Sequence, residues 1–118
     1  MADIHDLRRL ALALPGAHEV TYKGAPWFNV GKKTFALAPS DKASAGRVIL
    51  KLDRAHQELL FEVRPETFQP CKVATVHWSY VALGDVDEAE LAALVREAWA
   101  QIVPKAVSRA LLNAARDA

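Results

Sequence analysis

At 118 residues, 52% of them apolar and 25% charged, the chain has the composition of a folded domain and not of a disordered segment. Fifteen Lys and Arg against fourteen Asp and Glu leave a net charge of +1, which excludes the strongly basic footprint of most dedicated nucleic-acid binders. The lone cysteine, Cys71, excludes an internal disulfide or a thiolate zinc knuckle, and no stretch nears the ~20 apolar residues of a membrane span.

In chain order, Asp3 is a good N-cap for a helix in which Ile4, Leu7, Leu10, Ala11 and Leu14 recur at helical spacing, stopped by Pro15-Gly16. No basic segment leads into an apolar run there, so a cytoplasmic protein is expected. From His18 the period becomes two: HEVTY, WFNV and TFALA read as short strands, broken at Lys23 to Pro26 and at Gly31-Lys32 by two hairpin turns. Pro39 to Gly46 reads as a loop and RVILKL as a half-buried strand. Asp53 then caps a helix to about Val63, with Leu59, Leu60 and Val63 as its apolar stripe and Arg64-Pro65 as its stop. A loop through Pro70 leads to the strand VHWSYVAL. Asp87 opens the last helix, with Leu91, Leu94, Val95, Ala98 and Ile102 on one face. Pro104 should kink or break it before the run Val107, Ala110, Leu111 and Ala114.

This order suits a single α+β domain over residues 1–118: a two-layer sandwich with an antiparallel sheet and the N- and C-terminal helices packed on one face. Alternation then assigns the faces. If Phe28, Val30, Phe35, Leu37, Val48, Leu50, Leu52, Ser79, Val81 and Leu83 meet the helices, then Trp27, Asn29, Thr34, Ala36, Arg47, Ile49, Lys51, Trp78 and Tyr80 look outward. The outward set is aromatic and basic. Between Thr21 and His56 seven basic residues face only Asp41 and Asp53, so a local positive field survives the neutral average. Indoles and a phenol beside cations suit stacking on bases and pairing with phosphates, through Trp27, Trp78 and Tyr80 with Lys23, Lys32, Lys33, Arg47 and Lys51. Lys32 and Lys33 at a hairpin tip, with Lys23 and Lys42 in neighbouring loops, would form a basic wing. The plainer alternative is that the aromatics cover one another, pack under a loop or the C-terminal segment, or make a homodimer contact. A second use of the same face is an aromatic-lined recess for a small molecule or a protein partner.

Nothing points to catalysis. His5, His18, His56, His77 and Cys71 form no compact ligand set, so no metal or cofactor is expected. The carboxylates Asp85, Asp87, Glu88 and Glu90 stand where a helix N-terminus favours negative charge. Neither a phosphate-cradling glycine loop nor a nucleophile elbow is present.

The run LPGAHEVTYKGAPWFNVGKKTFALA, then RVILKL, RPETFQP, VHWSYVAL and VDEAELAALVREAWAQIVPKAV, together resembles the MmcQ/YjbR family of small bacterial proteins across nearly the whole chain. The resemblance implies a CyaY-like α+β fold, similar in layout to frataxin, and DNA binding through a double-wing arrangement. It brings no catalytic residues. Two departures qualify it. Many members have a basic pair ahead of the late strand's Trp, where CKVATVHW offers only Lys72. Frataxin-like iron binding needs an acidic ridge, whereas the first helix sets Asp3 and Asp6 beside Arg8 and Arg9.

Overall fold

The computed structural model describes residues 2–39, 46–71 and 78–103. The expected break at Pro104 and the run after it, with Lys42, Lys72 and His77, lie outside these residues.

Among the described residues, an aspartate starts each of the three α-helices. Asp3 caps α1 (Ile4–Leu12) in a reciprocal capping box with Asp6, each carboxylate accepting the other's backbone N–H at 3.0 Å. Asp53 caps α2 (Arg54–Val63) by accepting from the N–H groups of Ala55 and His56, and Asp87 caps α3 (Glu88–Ala100) by accepting from Glu90 N–H at 2.7 Å. Each carboxylate meets an otherwise orphaned donor at the positive end of a helix.

Among the described residues six strands make one antiparallel sheet: β1 (Ala17–Tyr22), β2 (Ala25–Val30), β3 (Lys33–Leu37), β4 (Arg47–Lys51), β5 (Phe68–Pro70) and β6 (Trp78–Ala82), in the order β1-β2-β3-β4-β6-β5. The β1–β2 turn holds Lys23 at φ 52° and Gly24 at φ 79°, the paired left-handed residues of a type I′ hairpin. β6 enters between β4 and β5. β5 lies in the stretch expected to be loop, and its three residues are too short to show alternation. As an edge strand it tolerates Pro70, which has no N–H to give.

The three described α-helices cover one sheet face. α1 packs on α3 and β1, α3 lies over β3 and β4, and α2 packs on β5 and sends Gln57 to Ser79, on the face that carries Val48, Leu50 and Val81. Phe28, Phe35, Leu50, Val81, Leu7, Leu91, Val95 and Trp99 are fully buried between the layers. Trp99 also donates its indole N–H to the carbonyl of Pro15 at 3.0 Å, so a large apolar body and its polar edge are both satisfied. The α+β two-layer architecture is therefore as expected.

Two local assignments are corrected. β3 carries a bulge: Phe28 opposes Ala36 but Asn29 opposes Thr34, so Phe35 is an extra residue in the ladder. The bulge shifts the alternation by one, sending Ala36 into the core and Leu37 to the outer face, the reverse of the expected assignment. In α2 the buried stripe is Gln57 and Leu60, whereas Leu59 and Val63 are 55% and 59% exposed. The stripe turns because Ser79 gives the Gln57 amide a partner, which makes burial of a polar residue tolerable.

Candidate functional site

The sheet face away from the helices carries Trp27 on β2, Leu37 on β3, Ile49 and Lys51 on β4, and Trp78 on β6. The register follows directly: Trp27 opposes Leu37, Leu37 opposes Ile49, and Lys51 opposes Trp78. Three strand spacings of ~4.8 Å, with a two-residue stagger along β6, place the Trp27 and Trp78 backbones roughly 16 Å apart. These residues surround a recess of about 580 Å³, with Lys33 and Thr34 of β3, Cys71, and Gln101 and Ile102 beyond α3 completing its described lining.

Local structure fixes the walls. Tyr22 of the edge strand packs on Trp27 with ring centroids 4.8 Å apart and planes tilted by 51°. Both indoles are half-buried, and Ile49 at the floor is 6% exposed. Cys71 is held beside Trp78 by its backbone N–H, which donates to the Trp78 carbonyl at 3.2 Å. Among the described lining residues there are two ammonium groups, Lys33 and Lys51, and no carboxylate. Such a surface offers indole faces and an apolar floor to a planar group, and positive charge to an anion attached to it.

The candidate residues named from the sequence divide into groups. Trp27, Trp78, Lys33 and Lys51 line the one recess. Arg47 and Tyr80 share its sheet face but form a cluster of their own: the guanidinium carbon lies 4.2 Å from the phenol ring centroid, and Arg47 Nη1 donates to Gln69 Oε1 at 3.0 Å. Lys32 is exposed in the β2–β3 turn, next to Lys33. Lys23 is exposed in the β1–β2 turn at the far end of β2, with its ammonium 5.5 Å from the Tyr22 ring centroid. A six-residue strand separates Lys23 from Lys32 by roughly 20 Å, so the two do not share one wing.

Sequence reasoning missed four lining residues. Leu37 reaches the outer face only through the bulge, which two adjacent hydrophobic residues, Phe35 and Ala36, conceal. Gln101 and Ile102 follow a helix that belongs to the opposite layer, and Cys71 entered only as a lone cysteine without a metal-ligand set. The acidic cluster has structural partners: Arg9 Nη2 meets Glu88 at 2.8 Å, Arg64 meets Glu90, and Thr67 donates to Asp85 at 3.3 Å. No helix among the described residues is long and apolar enough to cross a membrane.

Comparison with known proteins follows the same outline. No curated protein matches the chain. The crystal structure of a Deinococcus radiodurans protein with a DUF419 domain superposes with a TM-score of 0.76 at 26% identity, covering 94% of this chain and 88% of that one. The YjbR family pattern matches residues 12–101, from the last residue of α1 through the recess residue Gln101, and the chain belongs to the YjbR family.

Proposed function

We propose that the protein is a non-enzymatic cytoplasmic module that binds DNA on its outer sheet face. The observation that carries this reading is the joint placement of Trp27, Trp78, Lys33 and Lys51 around one recess without a carboxylate in its described lining. Cations there meet phosphates, while the aromatic and apolar surface meets bases. Exposed Lys32 extends the positive edge along the hairpin.

The test is fluorescence anisotropy of labelled DNA, single-stranded and duplex, across a salt series. Binding at low salt that weakens steeply as salt rises is expected, with a shallower slope for Lys32→Ala/Lys33→Ala, because fewer counterions are then released. Absence of binding at low salt for both forms of DNA overturns the reading.

A second reading is favoured by the concavity of the site. A volume of about 580 Å³ lies within the range of small-molecule pockets, and the same lining would suit a small planar anion. Saturable binding of a mononucleotide with no added affinity for a longer strand would favour it over DNA.

A further inference from the structure

We infer that the recess accepts one unstacked base of single-stranded DNA, and that the protein therefore prefers single strands to duplex. The inference rests on the DNA reading above and goes beyond it by specifying the form of the ligand.

The indoles decide the matter. Trp27 and Trp78 are half-buried at the walls of a recess, above a floor of Leu37 and Ile49. In a duplex the base faces are stacked on one another, and only base edges are presented in the grooves. An indole in a concavity cannot reach a stacked face. A single strand can turn a base out of its stack and lay it against an indole, and every base has a π-face to offer.

Charge places the backbone. Lys51 lies directly across from Trp78 in the β4–β6 ladder, and Lys33 opens β3 at the hairpin that also presents Lys32. A base seated against Trp78 brings its own phosphate and the next within reach of ammonium groups on two strands. A duplex would meet the same lysines only as a surface charge.

The experiment compares wild-type binding of an oligothymidylate with the matching duplex at one salt concentration, using anisotropy and intrinsic tryptophan fluorescence. Trp99 is fully buried in the core, so base-induced quenching reports Trp27 and Trp78. The expected result is affinity for the single strand at least about tenfold above duplex, with saturable quenching. Trp78→Ala should weaken single-strand binding about tenfold and duplex binding less than about twofold. Equal or tighter duplex binding, or single-strand binding without quenching, overturns the inference and leaves DNA binding intact. Thymidine monophosphate binding as tightly as the oligonucleotide also overturns it. Failure of both DNA forms to bind removes the underlying reading itself. The wild-type comparison needs no variant and stands even if Trp78→Ala does not fold.

Discussion

Gln57 is fully buried, and its amide N–H donates to Ser79 Oγ at 2.6 Å while Oε1 has no partner among the described residues. Whichever way the amide is turned, one of its ends lacks a protein partner there. Removing only the hydroxyl leaves a second amide group unpaired in the core, so Ser79→Ala should cost about 1–3 kcal/mol in denaturant unfolding. Removing both polar groups, in Gln57→Leu/Ser79→Ala, should cost less than about 1 kcal/mol or stabilise, because nothing polar is then left behind. Equal losses in the single and double variants would show that the hydrogen bond carries no weight. A polar residue at this position also explains why the buried face of α2 departs from its apolar pattern. The apolar Leu59 and Val63 draw the stripe toward themselves, while the pairing that buries Gln57 depends on a strand residue 22 positions away. Trp99 is absent from the apolar face expected for the last helix, although its position belongs there. It falls four residues after Val95 and eight after Leu91, on the face that the helical period had already marked as core.

At the scale of single elements, helix starts are the most legible feature and ladder irregularities the least. Asp3, Asp53 and Asp87 each act on a backbone donor two or three residues away, so local sequence contains the whole interaction. The β3 bulge depends on how Phe28 and Asn29 pair across a hairpin, and no period within TFAL announces it. The first helix gives this element scale a test in pH. The backbone N–H of Asp3 holds the Asp6 carboxyl below its usual value of 3.8, opposed by some desolvation and aided by Arg9. A depressed folded value stabilises the folded state above the unfolded pKa and loses that contribution as pH falls through the folded value. The half of the capping box made by the Asp6 carboxylate should therefore persist through mild acid and open only below the ordinary carboxylate range. A carbon-detected NMR titration of Asp6 should give a midpoint below 3.8, moving back toward it in Arg9→Ala. A midpoint at or above 3.8 in the parent protein would contradict the reciprocal cap.

For the molecule as a whole, a net charge of +1 says little about DNA, because the relevant field is local. Lys33 and Lys51 border the recess, while Arg54 is on α2 in the opposite layer, 3.4 Å from Glu58 in an exposed i,i+4 pair. Lys33→Glu and Arg54→Glu each change the total by two charges, from +1 to −1. If the field of the entire protein drives association, the two variants weaken DNA binding equally. If the recess does so, Lys33→Glu should weaken it roughly tenfold at low salt and flatten the salt dependence by about one counterion, with Arg54→Glu within about twofold of the parent. Neither residue contributes to the buried core, and exposed pairs such as Arg54–Glu58 are worth at most about 1 kcal/mol, so both variants should fold. Equal loss in the two would remove the outer sheet face as the point of contact, whereas a loss confined to Lys33→Glu would locate the phosphate backbone at the edge of the recess.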